Sequence, residues 1–218
     1  MRGYYFFTTS QYFALKTIEI EGINRLESRE VLDIVGINYG MNTLSISMES
    51  MEKALSRAPW VESLSIKRVL PDRFNIVIKE REPVYWRNLN GVLHYADRWG
   101  QPIAPVTPGS FSSLPALDIE PGAEDLAGRL PYLVNSLTRA DLPLDTAALA
   151  WLRLSSAGAM ELKPSDKLSI VIGIEDWQSN LERLNAVLYD LSRRGELRDT
   201  AEIKAHGNHV WVSKRMHT

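Results

Sequence analysis

The feature that most constrains the fold is a pair of alternating apolar segments between residues 59 and 83, "PWVESLSIKRVLPDRFNIVIKEREP". Apolar residues stand at alternate positions, Leu64 and Ile66 in the first segment and Phe74, Ile76 and Ile78 in the second. A period of two is typical of β-strands with one buried face. The sequence therefore predicts two strands, each with one buried and one solvent-exposed face.

A short turn, Leu70-Pro71-Asp72, joins the two segments. Proline fixes φ and the aspartate side chain can hydrogen-bond its own backbone, so the pattern predicts an antiparallel hairpin. The second face of the hairpin is expected to be wet because it carries the basic residues Lys67, Arg73 and Lys79. Ahead of the hairpin, we expect Trp60 and Val61 to seal the core.

Three further elements precede the hairpin. Lys16 to Gly22 alternates and predicts a strand, and Glu30 to Val35 has helical spacing and stops at a glycine. A second helix is predicted over Met48 to Ser56, with Ser47 able to cap it. The predicted order of this module is strand, helix, helix, strand, strand.

Pro83 cannot donate to a strand ladder, so we expect one domain to end there and a second to begin. Asn90-Gly91 between apolar segments predicts a tight hairpin, and Gly100 marks another turn. Beyond a loop over residues 105–115, the remaining predicted elements are a strand at Leu114 to Ile119, a helix at Leu126 to Arg139, strands at Ala150 to Leu154, Ala159 to Lys163 and Lys167 to Gly173, a helix at Asp176 to Arg194, and two strands about His206-Gly207-Asn208.

The predicted fold class is therefore α+β, with a small β-α-α-β-β module followed by a mostly antiparallel β-sheet domain that carries helices on one face. The 25 Lys and Arg residues nearly balance the 27 Asp and Glu residues, which leaves no global field for nucleic acid or anionic lipid. The chain contains no cysteine, which excludes disulfides and thiolate metal sites.

No stretch reaches the roughly 20 apolar residues that span a bilayer. Six aromatic residues nevertheless crowd the amino end: Tyr4, Tyr5, Phe6, Phe7, Tyr12 and Phe13. Clustered aromatics suit a membrane interface. Two hypotheses stay open. In the first, these side chains pack at the start of the hydrophobic core; in the second, a membrane-spanning helix precedes residue 1.

We find none of the motifs that accompany catalysis or phosphate binding. His206 and His209 could share a metal across their turn, but nothing nearby in sequence supplies more ligands. Glu80, Glu82 and Asp97 could serve acid–base chemistry, yet strand-end carboxylates beside arginines are more typical of solvated ion pairs. We therefore predict no enzyme activity, no cofactor and no metal.

Backbone groups offer a different function. If the last two segments end an antiparallel sheet, one of them can present unpaired N–H and C=O groups to a strand of another chain. Val210, Trp211 and Val212 could supply side-chain contacts. The opposing hypothesis is that Trp211 is buried in the core and the edge is shielded.

The strand, helix, helix, strand, strand order resembles a POTRA domain. Three motifs narrow the resemblance to the FtsQ/DivIB cell-division family: Pro59-Trp60-Val61, Leu70-Pro71-Asp72 and Glu80-Arg81-Glu82-Pro83. The similarity covers roughly residues 13–213. It implies a juxtamembrane segment over 1–15, a POTRA domain over 16–82, a β domain over 83–213 and a tail over 214–218.

The resemblance also implies a function. Proteins of this family are non-enzymatic and bitopic, and they bind FtsB/DivIC-like and FtsL-like proteins in the division complex outside the cytoplasmic membrane, at the septum. The partner strand would bind at the terminal strands, at Ala201, Ile203, Lys204, Ala205, His209, Val210, Trp211 and Ser213. The POTRA domain would dock further division proteins near Arg25, Glu27 and Arg29. Ala205 stands where relatives often carry an aromatic residue.

Two alternatives remain. POTRA domains also occur in outer-membrane assembly and secretion proteins, where they guide substrate chains and are followed by a β-barrel. A periplasmic hydrolase would require a cleft of perturbed titrating groups.

Overall fold

The protein is described here from a computed structural model, over residues 11–106, 113–144, 149–165 and 168–215. The chain divides into two compact units, the first ending at Glu82 and the second starting at Pro83. No helix within the described ranges combines the length and the apolar character needed to cross a bilayer.

The first unit contains a three-stranded sheet and two helices. Its elements are β1 Thr17–Glu21, α1 Ser28–Val35, α2 Met48–Leu55, β2 Val61–Val69 and β3 Arg73–Glu80. Strand β3 is central, with β1 parallel on one side and β2 antiparallel on the other. The predicted hairpin and element order are confirmed.

Local capping explains where the two helices begin and end. Helix α1 starts two residues earlier than the periodicity predicts, because Glu27 and Glu30 form a capping box in which Glu30 accepts the Glu27 N–H at 3.0 Å. It ends at Gly36, which adopts the left-handed conformation at φ +66°. Ser47 caps α2 as predicted, accepting the N–H of Ser50 at 3.2 Å.

Successive side chains of β3 point alternately into the core and into solvent. Phe74, Ile76 and Ile78 are at most 2% exposed, whereas Val77 on the opposite face is 47% exposed. Helix residues Val31 and Leu55 complete the same core. Lys67, Arg73 and Lys79, the basic residues predicted to lie on the solvent-exposed face, are all exposed.

Trp60 departs from the expectation. Val61 is buried, but Trp60 is only half-buried, and the guanidinium of Arg25 lies 4.6 Å from its ring centroid. Trp60 precedes β2, so the inward alternation of the strand does not apply to it. Its ring therefore forms a cation–π contact at the surface, and only Val61 seals the core.

The second unit contains nine strands and two α-helices in the part of the chain that is described. These are β4 Tyr85–Leu89, β5 Val92–Ala96, β6 Pro102–Pro105, β7 Ala116–Ile119, α3 Leu130–Arg139, β8 Trp151–Ser155, β9 Ala159–Ser165, β10 Leu168–Gly173, α4 Trp177–Arg194, β11 Thr200–His206 and β12 His209–Lys214.

The nine strands form one sheet in the order β12-β11-β10-β9-β8-β7-β4-β5-β6. Most neighbours are antiparallel, as predicted, but the pairs β4–β7, β7–β8 and β10–β11 are parallel. Parallel neighbours need a crossover connection. In the chain, α3 lies between β7 and β8, and α4 lies between β10 and β11.

Both helices pack with one face of the sheet in a single hydrophobic core. The predicted stripe of α4 is buried throughout: Trp177, Leu181, Leu184, Leu188 and Leu191. Leu152 and Leu154 point into this core, while Arg153 between them lies on the open face and pairs with Asp118 at 2.8 Å. The sheet therefore has one covered and one open face.

The turns of the second unit lie where the sequence predicts them. Asn90 and Gly91 both have positive φ, +53° and +84°, as a type I′ hairpin requires. Asp97 Oδ1 accepts the N–H groups of Trp99 and Gln101, each at 3.0 Å, and so holds the turn at Gly100. Pro131 stands in the first turn of α3, where its missing N–H costs nothing.

Candidate functional site: the edge strand β12

Strand β12 forms one end of the large sheet. It pairs antiparallel with β11 and with no other strand in the described ranges. The opposite end of the sheet is β6, which is four residues long and begins and ends with Pro102 and Pro105. Proline lacks an N–H donor, so β6 is poorly suited to accept another strand. The six residues of β12 contain no proline.

The turn between β11 and β12 sets which backbone groups of β12 face outward. His206 pairs with His209 across two central residues, of which Gly207 has φ +56°, as in a type II′ turn. In such a hairpin the flanking pair is hydrogen-bonded, and bonded and non-bonded pairs then alternate. Val210 and Val212 therefore direct their N–H and C=O groups away from β11.

The side chains of β12 differ between the two faces. Val210 and Val212 stand opposite Ala205 and Ile203, on the covered face, and Val212 remains 38% exposed. Trp211 stands opposite a polar residue on the open face and is 51% exposed. The hypothesis that Trp211 is buried in the core is therefore wrong.

Trp211 is accompanied on the open face by His209. The two ring centroids are 5.5 Å apart and the ring planes are inclined by 48°. Lys204, directly across the ladder from Trp211, is exposed. An added strand would therefore meet aromatic rings on one side and valine side chains on the other.

Helix α4 anchors the turn end of β12. Arg183 donates from Nη1 to the carbonyl oxygen of Gly207 at 2.6 Å and from Nη2 to Asn208 Oδ1 at 3.1 Å. Arg183 is partly buried at the side of the helix, next to the apolar stripe. The sequence pattern alone does not separate it from a charged residue that faces solvent. Its role depends on a contact 24 residues away in the chain.

The far end of β12 is anchored by the 3-10 helix Glu196–Asp199. Lys214 Nζ lies 2.8 Å from Glu196 Oε2, and the Arg215 N–H donates to the carbonyl oxygen of Asp199 at 2.8 Å. The hydrogen bond and the charge of Lys214 lower the pKa of Glu196 below its ordinary value. Both ends of the edge strand are thus held in place.

The structure separates the sequence-predicted strand residues into two groups. Ile203 and Ala205 are fully buried in β11, which is paired on both sides, so their side chains are not presented to a partner. Ala201 is half-buried at an irregularity of the β11–β12 ladder. The accessible members lie around the edge: Lys204, His209, Val210, Trp211 and Ser213.

The predicted docking residues of the first unit, Arg25, Glu27 and Arg29, are all exposed. Arg25 and Glu27 lie on the loop before α1, whereas Arg29 lies in the first turn of α1. The loop is held by Glu80, at the end of β3. The Glu80 carboxylate accepts the backbone N–H groups of Asn24, Arg25 and Leu26 at 2.8–3.1 Å.

Two of the three carboxylates considered for catalysis bind backbone N–H groups. Glu80 binds the loop N–H groups and Asp97 binds its own turn, while Glu82 is exposed. Within the described residues, no three histidine, aspartate or glutamate side chains are grouped so that they could hold a metal ion. His217 lies outside the described residues.

Comparison with known proteins agrees with this architecture. Residues 13–81 match the family described as POTRA domain, FtsQ-type. The chain is 26% identical over 216 residues to cell division protein FtsQ of Myxococcus fulvus, an alignment that covers 95% of this chain and 75% of the relative. It is also 26% identical to the FtsQ of Geotalea daltonii, covering 83% of this chain and 68% of that protein.

A third relative, the FtsQ of Chloroflexus aggregans, is 32% identical over 155 residues, which are 65% of this chain and 55% of the relative. The POTRA match falls on the first unit, and the longer alignments extend over the sheet of the second unit. Residues 13–81 therefore belong to the FtsQ-type POTRA domain family, and the chain is similar over most of its length to FtsQ cell division proteins.

Proposed function

We propose that this protein is a non-enzymatic scaffold of the bacterial division complex that accepts a strand from an FtsB/DivIC-like partner at β12. An FtsL-like protein would join the same complex. The observation that carries the proposal is the unpaired edge, where Val210 and Val212 direct four backbone hydrogen-bonding groups outward. Strand addition uses such groups for affinity and side-chain pockets for specificity.

Backbone pairing alone would bind weakly. Each hydrogen bond nets about 0.5 to 1.5 kcal/mol, and association must first offset lost translational and rotational freedom. Side chains must therefore contribute, and Trp211 and Val212 are the exposed apolar groups on the two faces of the edge. The anchors at Arg183 and Lys214 reduce the ordering that binding requires.

The first unit supports a second contact. Arg25 and Glu27 are exposed on a loop that Glu80 and the ring of Trp60 hold in place, and Arg29 is exposed on the first turn of α1. We assign this loop and the start of α1 to the docking of further division proteins. We propose that both surfaces lie on the outer side of the cytoplasmic membrane, at the septum, and the family resemblance supports this location.

The test is calorimetric titration of this chain with the extracytoplasmic part of the FtsB-like protein from the same organism. We expect a dissociation constant near micromolar for the unmodified chain. Val212→Pro removes an outward N–H, and an edge strand tolerates this, so binding should fall by about tenfold or more while circular dichroism stays unchanged. Val212→Ala keeps the donor and should lose less.

Trp211→Ala separates the side-chain contribution from the backbone contribution. It leaves every backbone donor in place and removes the exposed ring, and we expect a measurable loss of affinity. Undiminished binding by Val212→Pro would overturn strand addition at this edge. Absence of binding by the unmodified chain would overturn the proposed partner.

A further inference from the structure

One end of the first unit gathers three segments that are distant in sequence. Strand β1 starts beside the start of β3, with Thr17 opposite Arg73, and β2 ends there, with Val69 opposite the same Arg73. The turn of the hairpin and the residues that lead into β1 therefore share this end of the sheet. The loop after α1 joins them.

Hydrogen bonds hold the three segments together. The Leu15 N–H donates to the carbonyl oxygen of Met41 at 2.8 Å, and the Gly40 N–H returns a bond to the carbonyl oxygen of Leu15 at 2.9 Å. The Thr43 hydroxyl donates to the carbonyl oxygen of Pro71 at 2.6 Å. This end of the unit is therefore a defined surface.

Four of the side chains exposed on these segments are large, uncharged, and apolar or aromatic. Tyr12 is 66% exposed, Tyr39 62%, Leu70 55% and Met41 38%. We call these four residues the amino-terminal patch. Exposed single apolar residues are ordinary, but four on adjoining segments are not.

Two of the three segments that form the patch also lack charged residues. Residues 3–15 and residues 34–48 contain no Lys, Arg, Asp or Glu. At the rim, Lys16 Nζ lies 3.1 Å from Asp72 Oδ2, so these two charges balance each other. A surface rich in Tyr and Leu and free of net charge matches the boundary between lipid headgroups and acyl chains, where amphipathic rings are favoured.

The sequence ahead of the patch has the same character. Residues 4–7 are Tyr, Tyr, Phe and Phe, and four uncharged polar residues separate them from Tyr12. A protein partner would be expected to use charged groups to set its orientation, and the patch offers none. We propose that the amino-terminal patch of the first unit rests on the interfacial layer of a lipid bilayer. This contact is separate from β12 and does not depend on strand addition.

The absence of cysteine makes the test direct. Single variants Tyr39→Cys and Leu70→Cys are labelled with an environment-sensitive fluorophore. Ser63→Cys is the matched control, because Ser63 is exposed on β2 about 20 Å along the strand from Val69. Each chain is attached through an amino-terminal histidine tag to phosphatidylcholine vesicles containing a nickel-chelating lipid, so that a weak contact is still populated.

We expect a shift of emission to shorter wavelength on vesicles at positions 39 and 70 and none at position 63. In untethered flotation, Tyr12→Ser combined with Tyr39→Ser should weaken partitioning by roughly tenfold, given the apolar area removed. Tyr132→Ser combined with Tyr189→Ser is the control, because both tyrosines are about half exposed in the second unit.

Three results would overturn the proposal: no shift at any position, an equal shift at Ser63→Cys, or a shift without lipid that grows with protein concentration. The last would assign the patch to a contact between proteins. Calorimetric binding of the FtsB-like partner is measured without lipid. Failure of the lipid contact would therefore leave the proposed scaffold function intact.

Discussion

Glu80 and Gly22 show how single residues connect the elements of the first unit. The Glu80 carboxylate accepts three consecutive backbone N–H groups, of Asn24, Arg25 and Leu26. A Cβ on Gly22 would lie 2.0 Å from the carbonyl oxygen of Ile78, and its φ is +80°, so only glycine allows this close approach. Both residues fix the loop that precedes α1 against β3.

Replacing Glu80 with alanine should therefore loosen that loop. We expect Glu80→Ala to lower the free energy of unfolding by about 1 to 2 kcal/mol, because three N–H groups lose a charged acceptor. Amide hydrogen exchange should accelerate at residues 24–26. Urea denaturation and exchange mass spectrometry measure the two effects.

Glu82→Ala provides the control for the loss of a carboxylate. Glu82 is exposed two residues further along, and its substitution should change stability by less than about 0.5 kcal/mol. Equal effects of the two variants would show that the Glu80 hydrogen bonds do not stabilise the loop.

At the scale of the element, β12 is an edge strand fixed at both ends. Arg183 holds the turn to α4, and the Lys214–Glu196 pair holds the far end. Val210 packs against the core between these anchors while its backbone groups face outward. The strand is therefore held in place, and within the described residues no other strand pairs with its outer edge.

Acid should release the far end of β12. Lys214 holds the pKa of Glu196 below its ordinary value of 4.5, so the pair stabilises the folded state above that pH. This contribution is lost as the pH falls through the lowered folded pKa. We expect amide exchange near Lys214, compared with that of β8, to accelerate on acidification below about pH 4.5.

Glu196→Gln removes the titrating group and is the control. The variant should show fraying near Lys214 at neutral pH and a weaker acid dependence there. An identical pH profile in both proteins would exclude the ion pair as the cause.

At the scale of the whole molecule, the two units have separate hydrophobic cores. Tyr85, at the start of β4, belongs to the core of the second unit and is 2% exposed. Burial raises its pKa to about 12, from an ordinary value of 10.0. We propose that the segments 16–82 and 83–213 are independent folding domains, and Tyr85 then reports on the second alone.

The second unit should lose stability in alkali. The folded state favours the neutral phenol, so its contribution is complete below pH 10 and is lost as the pH rises towards 12. The rise of the pKa from 10.0 to about 12 corresponds to at most about 3 kcal/mol. Urea denaturation at about pH 9 and about pH 11.5 should show a steeper loss in the unmodified chain than in Tyr85→Phe.

Phenylalanine keeps the buried ring and removes the ionisable group. Only the unfolding transition of the second unit should differ between the two proteins. An identical alkaline dependence would mean that Tyr85 does not titrate with a raised pKa.

Elements with local causes could be predicted from the sequence. The alternation of Phe74, Ile76 and Ile78 assigned the buried face of β3, Asn90-Gly91 assigned a hairpin, and the stripe starting at Trp177 assigned the buried face of α4. These patterns depend on neighbours within a few residues, where backbone geometry and side-chain direction are set. The α+β class and the order of the elements followed from them.

Which strand ends the sheet, and which side chains lie at that edge, are properties of the tertiary structure. Ile203 and Val212 alternate alike in the sequence, yet Ile203 is fully buried in an inner strand and Val212 lies at the edge. The roles of Glu80 and Arg183 rest on contacts 54 and 24 residues away. Strand order and such long-range hydrogen bonds arise when distant segments pack together. The hydrophobic periodicity of a short segment carries no information about that packing.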